Sequence, residues 1–371
     1  MNTVRLDELC TTFKSDILVN KIEKDTGDYP LFGAKGVVTG LNSYQQPKPY
    51  ISIIKWGAGV GRAELRPAYS SIVATMLGVL PNDDVNINWL CYLLQSMHLE
   101  QYATNAVVPN LYFKDYCDSS IPVPSLDEQI RISGFLDKVQ RIIDIRKQQL
   151  SVLDDLTKAR FVEMFGEPEL NPVGWLIQPL GDLLSVEPQN GLYKPQSDYV
   201  QNGAGTPILR IDAFYNGKVT DFSKLKRLNC TDIEKSRYLL KENDIVINRV
   251  NSLEYLGKCA WITGMLEPTV FESNMMRFHV DESRIDPCYV TKLLCSKFIY
   301  KQVLNRAKKA VNQASINQGD VQSFTILVPP LELQKKYASF VAQIDKSKSV
   351  ILKSLDETQL LFDSLMQEYF G

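Results

Sequence analysis

Residues 301–318 of this 371-residue chain interleave cations with amides: Lys301, Arg306, Lys308 and Lys309 stand among Asn305, Asn312, Gln313, Asn317 and Gln318. Amide and guanidinium groups pair bidentately with adenine or guanine edges in a DNA major groove, while lysines suit phosphates. A solvated helix and loop would carry the same residue types. Arg306, Lys308, Lys309 and Gln313 are the candidates for contact. Two other places carry bases at matched spacing. The strand-like run Ile51-Ser-Ile-Ile-Lys55 leads into a loop that closes on Gly61-Arg62-Ala63, and Ile245-Val-Ile-Asn-Arg249 leads into one that closes on Gly257-Lys258-Cys259. A base on each side of a surface loop can grip phosphates. The run from Tyr29-Pro30 to Lys35 is likewise matched by Thr206-Pro207 to Arg210. The DNA-contact candidates are therefore Lys35, Lys55, Arg62 and Arg66 in the first half, and Arg210, Arg249, Asn251 and Lys258 in the second. The cluster Lys224, Lys226, Arg227 is similar in kind, whereas residues 102–112, with Asn105 and Asn110, offer amides and hydroxyls with only Lys114 nearby.

Catalytic patterns are missing. Gly57-Ala-Gly59-Val-Gly61 lacks the helix that a nucleotide or methyl-donor loop requires, since Pro67 and a second strand-like run follow it, so a turn is expected there. The two histidines, His98 and His279, have no partners at metal-ligand spacing. No phosphate-binding loop, nucleophile elbow, Asn-Pro-Pro-Tyr or Glu-x-Lys occurs. A non-enzyme without cofactor or metal is expected.

A formal net charge of −2, with neither half basic overall, excludes a protein that coats nucleic acid unaided. Any DNA grip must come from local loops or from partner subunits. Seven cysteines without a Cys-x-x-Cys pair point to reduced thiols and a cytoplasmic protein, and the longest apolar stretch, residues 71–80, is too short to cross a membrane.

What positions these loops is a duplication. Residues 121–166 align without a gap on residues 326–371, a shift of 205. Both copies read as long helices. The first opens on a capping box, Ser125-Leu-Asp-Glu128, and carries Ile132, Phe135, Val139, Ile142, Leu150, Leu153 and Leu156 at steps of three and four, with a gap at Arg146. The second opens at Pro330, with Tyr337, Phe340, Ile344, Ile351, Leu355, Thr358, Leu361 and Leu365. Helix–helix packing is expected through Phe135, Val139, Leu150, Leu156, Phe340, Ile344, Leu355 and Leu361. The Pro- and Gly-rich residues 166–175 read as a linker. The expected fold is α+β, with two similar mixed, strand-rich globular domains separated by two long antiparallel coiled-coil helices in an internal pseudo-twofold repeat. The expected boundaries are 1–124, 125–166, 167–326 and 327–371.

The set Ile121-Pro-Val-Pro-Ser-Leu-Asp-Glu-Gln129, its copy Val328-Pro-Pro-Leu-Glu-Leu-Gln334, Met164-Phe-Gly-Glu-Pro168 with Asn171 and Gly174-Trp175, and Asn312-Gln-Ala-Ser-Ile-Asn-Gln318 resembles the specificity subunit of type I restriction-modification systems over essentially the whole chain. Leu333 departs from the pattern, replacing the Glu of the first copy. The resemblance implies a non-catalytic reader of a split double-stranded DNA target, one half-site per domain. It also implies helices that set the spacing and dock two methyltransferase subunits, through which restriction and translocase subunits join. No family position transfers to a base contact. A protein-assembly scaffold and a recognition subunit of another multi-chain restriction enzyme are the alternatives.

Overall fold

The computed structural model describes residues 2–22, 27–104, 108–200, 203–311 and 313–371. They divide into two compact units, one made of Met1–Gln149 with Val350–Gly371 and the other of Leu150–Ser349. Asn105 and Asn312, both singled out above, lie outside the described residues.

In the first unit, Cys10–Lys14, Met76–Pro81, Tyr50–Ile54 and Ala63–Arg66 form an antiparallel sheet in that order. Tyr50–Ile54 is buried at every position, which is why it reads as a mostly apolar run, interrupted only by Ser52, rather than as a strict alternation. Beside it, the Tyr29–Gly33 and Gly36–Leu41 hairpin takes Ser71–Ile72 as a parallel third strand. The second unit repeats the plan. Leu184–Asn190, Met275–Val280, Ile245–Asn248 and Cys259–Trp261 follow the same order, and Thr206–Leu209 pairs antiparallel with Lys226–Leu228 and parallel with Val270–Phe271. The second unit extends its main sheet by Gly217–Val219 and Phe214–Tyr215, which have no counterpart among the described residues of the first.

The repeat holds bond for bond where sheets meet helices. A two-stranded ribbon joins Asn2–Arg5 to Ser120–Val123 in one unit and Leu176–Pro179 to Thr325–Val328 in the other. Gln129, 1% exposed, accepts from the Asn86 amide at 2.9 Å and donates to the Pro124 carbonyl at 3.1 Å. Gln334, 0% exposed, accepts from the Asp286 amide at 2.8 Å and donates to the Pro329 carbonyl at 2.7 Å. Asn86 and Asp286 in turn cap the helices Ile87–Ser96 and Pro287–Leu294, accepting from the Trp89 and Tyr289 amides. A buried amide satisfied on both sides ties each long helix to a globular layer.

The central helix, Leu126–Phe165, and the C-terminal helix, Leu331–Phe370, each run 40 residues. Their stretches lie antiparallel within each unit. In the first, Arg146 reaches Ser354 and Thr358 while Arg131 meets Tyr369. In the second, Asp154 pairs with Lys348, and the Tyr337 hydroxyl donates to the Thr157 carbonyl.

The seam keeps most of the positions expected from the sequence and differs by one residue at Phe135, Ile142, Leu156, Phe340 and Leu361. Inward positions are Ile132, Leu136, Val139, Ile143, Arg146, Leu150, Leu153 and Thr157 on the central helix. On the C-terminal helix they are Tyr337, Val341, Ile344, Lys348, Ile351, Leu355, Thr358 and Phe362. The steps alternate four and three without a break, the 3.5-residue period of a coiled coil. Val139, Leu150, Ile344 and Leu355 stay on this seam as expected. Phe135 at 45%, Leu156 at 45% and Leu361 at 48% exposure face outward instead, and Phe340 is only half-buried on the flank. Arg146 is a member of the stripe rather than a gap in it, because its guanidinium finds partners across the pair.

Two smaller expectations change. Ser125 Oγ accepts from the Glu128 amide at 3.4 Å, but the Glu128 carboxylate pairs with Arg131 rather than reaching back, so only half of the capping box forms. Residues 166–175 are a built turn, in which the Trp175 indole donates to the Phe165 carbonyl at 2.7 Å and Asn171 accepts from the Trp175 amide at 2.8 Å. An open carbonyl at the helix end is thereby satisfied.

Candidate nucleic-acid interface

The loops that leave the two central strands are closed by the same bonds. In the first unit the Gly61 amide donates to the Ile54 carbonyl at 2.9 Å and the Ile54 amide to the Arg62 carbonyl at 3.1 Å. In the second, Gly257 donates to Asn248 at 3.0 Å and Asn248 to Lys258 at 2.8 Å. Lys55 thus corresponds to Arg249 and Arg62 to Lys258. Both glycines sit at positive φ, +87° and +76°, with no room for a side chain. A Cβ on Gly61 would meet the Glu100 amide nitrogen at 2.6 Å, and one on Gly257 would meet Val303 at 2.7 Å. The glycine run 57–61 is a turn, as its sequence context implies, with close packing at Gly61.

A second segment lies against each loop. The Leu111 amide donates to the Lys55 carbonyl at 2.9 Å, and its equivalent under the 205-residue shift, the Ile316 amide, donates to Arg249 at 3.0 Å. In the second unit this contact grows into a ribbon of Val250–Asn251, Ala314–Ser315 and Lys308–Lys309. It brings Arg249, Asn251, Lys308, Lys309 and Gln313 onto one small surface, with both lysines and Gln313 exposed.

The other candidates divide by their surroundings. Lys35 is exposed at the tip of the first unit's hairpin, and Arg62 donates to the Ala34 carbonyl beside it while pairing with Glu64 at 2.9 Å. Lys55 is half-buried, and burial, with Lys14 adding repulsion, holds its ammonium below the ordinary lysine value. Lys258 is also lowered by burial, its ammonium 3.2 Å from the Tyr215 ring centre and 5.1 Å from that of Tyr255. Arg249 is pinned through a bond to the Ser273 carbonyl at 3.1 Å.

Three candidates are built into the scaffold. Arg66 is 7% exposed, donates to Ser52 Oγ at 2.8 Å, pairs with Glu64 and stacks 4.5 Å from the Phe32 ring centre. Arg306 spends its guanidinium on Ser323 and the Gln302 carbonyl. Arg210 lies between Asp212 at 3.8 Å and Glu272 at 3.9 Å. The parallel strand pairs put Leu209 level with Phe271 as Phe32 is level with Ile72, so Arg210 matches Gly33 and not Lys35. Charge alone in the sequence does not separate such internal partners from surface bases.

Sequence reasoning passed over Trp56, 51% exposed in a bridge opposite Asn110, and noted Tyr112, 46% exposed, only within the stretch 102–112 and not as a contact candidate. It also passed over the two tyrosines around Lys258. An aromatic residue two positions past a mostly apolar strand and directly before a glycine turn was the available signal for Trp56.

The family profile described as "Type I restriction modification DNA specificity domain" matches residues 1–154 and 172–358. The chain belongs to that family. This specificity-domain protein is 32% identical over 216 residues, 56% of its length, to a Methanocaldococcus jannaschii protein carried provisionally as the type I restriction enzyme MjaX specificity subunit. It is 25% identical over 67% of its length to the EcoKI specificity subunit of Escherichia coli, and 23% identical over 96% of its length to the StySPI specificity subunit of Salmonella potsdam. The match spans 48%, 55% and 83% of those relatives' own lengths. In fold, it is similar to the type I restriction-modification S subunit from M. genitalium, with a TM-score of 0.66 and 16% identity over 100% of this chain and 96% of that one. A further match, at TM-score 0.53 and 16% identity over 100% and 97% of the two chains, comes from a structure described as complex assembly and conformational transition of the type I R-M system. Among the described residues, no helix of this specificity-domain protein is long and apolar enough to cross a membrane.

Proposed function

We propose that this chain reads a bipartite double-stranded DNA target, one half-site per globular domain, and takes no catalytic part itself. Residues 1–124 and 167–326 are the two target-recognition domains, and residues 125–166 and 327–371 are the spacer helices. The observation that carries the reading is the bond-for-bond equivalence of the loops at Lys55–Arg62 and Arg249–Lys258, which presents cations at the same place in each domain. Phosphates take the lysines and arginines, while amides and aromatic donors meet base edges in the major groove. The near-neutral net charge fits a reader whose grip is completed by other subunits.

Two methyltransferase subunits dock along the helices, and restriction and translocase subunits join through them in the cytoplasm. Phe135, Ile142, Ile145, Val152 and Leu156, exposed on the flank of the central helix, supply an apolar surface of the kind that subunit docking covers. Footprinting of the assembled complex should show two protected patches roughly 10 bp apart centre to centre. Inserting a heptad into the 125–165 helix should change the spacer and leave both half-sites unchanged. Absence of any footprint would favour an assembly scaffold, and altered half-sites would remove the spacing role of the helix.

A further inference from the structure

The two domains hold equivalent segments with opposite surface chemistry. Under the correspondence fixed by the Leu111 and Ile316 bonds, Trp56 stands where the second domain has Val250, Asn110 where it has Ser315, and Tyr112 where it has Asn317. The Asn317 side chain is consumed as a helix cap, accepting from the Asp320 amide at 3.0 Å. In the reverse direction, the strand position paired with Ser315 carries Lys308, whereas Thr104 lies against Asn110. The second domain presents the exposed pair Lys308 and Lys309, and the first presents aromatic rings.

We infer that Trp56 and Tyr112 form the base-discriminating corner of the first domain, an aromatic counterpart to the lysine ribbon of the second. The inference rests on the DNA-reading function proposed above and assigns that reading to particular side chains. Backbone bonds on both sides fix Trp56, from the Leu111 amide to the Lys55 carbonyl and from the Gly57 amide to the Pro109 carbonyl at 3.3 Å. The Tyr112 hydroxyl accepts from Asn110 Nδ2 at 2.6 Å, so its own proton remains for an outside acceptor. Lys114 stands 5.4 Å from the Tyr112 ring centre, placing a cation beside it for the adjoining phosphate. The Trp56 indole and the Tyr112 hydroxyl are both donors on exposed rings. Purine N7 and guanine O6 are their matching acceptors in the major groove, and a thymine methyl fits against the ring face. Asn110 is a positioning residue, since its amide acts through Tyr112.

The test uses the full chain assembled with methyltransferase subunits and duplex DNA randomised in each half-site. Trp56→Ala and Tyr112→Phe should flatten base preference in one half-site about tenfold at the contacted position, as expected of a lost base contact. The other half-site should keep its preference, which also reports that the variant is folded, and the salt dependence of affinity should not change. Lys308→Ala combined with Lys309→Ala should keep base preference and lower the slope of log affinity against log salt by about 0.9 for each phosphate contact removed. Preferences unchanged by Trp56→Ala and Tyr112→Phe, or a salt slope lowered by them as by the lysine pair, would overturn the inference alone. An unaltered complex that prefers no sequence would overturn the DNA-reading function and the inference with it.

Discussion

The first domain holds its loop at Lys55–Arg62 with the same bonds that hold Arg249–Lys258 in the second, yet one loop is bordered by Trp56 and Tyr112 and the other by Lys308 and Lys309. Strand order, the two buried glutamines and the closing glycines fix where each loop stands. Side chains on its outer surface are free of those demands, because replacing one disturbs no buried bond. A duplicated frame can thus present two different surfaces.

The largest expected effect separates scaffold cations from surface cations within the first domain. Arg66→Ala removes a guanidinium enclosed by Ser52, Glu64 and Phe32 and should lower stability by about 3 kcal/mol. Arg62→Ala, at an exposed pair, should stay within about 0.5 kcal/mol and weaken DNA binding instead. Denaturant midpoints for the two variants check this, and equal losses would erase the distinction.

Next come the equivalent glutamines. Gln129→Leu and Gln334→Leu each strand a backbone amide and a carbonyl, so each should cost about 2 kcal/mol. Thermal unfolding should find the two losses alike, and a neutral result for either would break the equivalence.

The smallest effect is in pH. Burial holds Lys258 below the ordinary lysine value of 10.5, so it loses its proton before a free lysine does. The desolvated charge opposes folding at lower pH, and that opposition fades as pH rises toward 10.5. A phosphate contact at Lys258 should therefore weaken on the alkaline side earlier than in Lys258→Arg, whose guanidinium stays charged. DNA affinity measured between neutral pH and 10.5 compares them, and parallel profiles would show that Lys258 makes no such contact.

Much of the frame was legible in the sequence. The 205-residue repeat placed both helices, and the paired strands at Ile51 and Ile245 emerged because buried central strands are mostly apolar, with Ser52 and Asn248 as the polar members. Most seam positions were legible as well, while Arg146 was not, because a coiled coil carries it inward only where Thr358 and the Ser354 carbonyl receive it. Among the site candidates, Lys35, Lys308, Lys309 and Gln313 are exposed where a ligand can reach them. Arg66 and Arg306 are not free, since apart from Glu64 beside Arg66 their partners are distant in sequence or are backbone carbonyls, which no residue pattern displays.

The most direct test of two domains reading two half-sites is sequencing with base-modification detection of host DNA, with the chain intact, deleted, or carrying substitutions in one domain. The account predicts one split methylated motif that vanishes on deletion. It also predicts that Trp56→Ala relaxes one half of that motif while the other half stays as it was. Methylation unchanged by deletion, or a single substitution that alters both halves together, would contradict it.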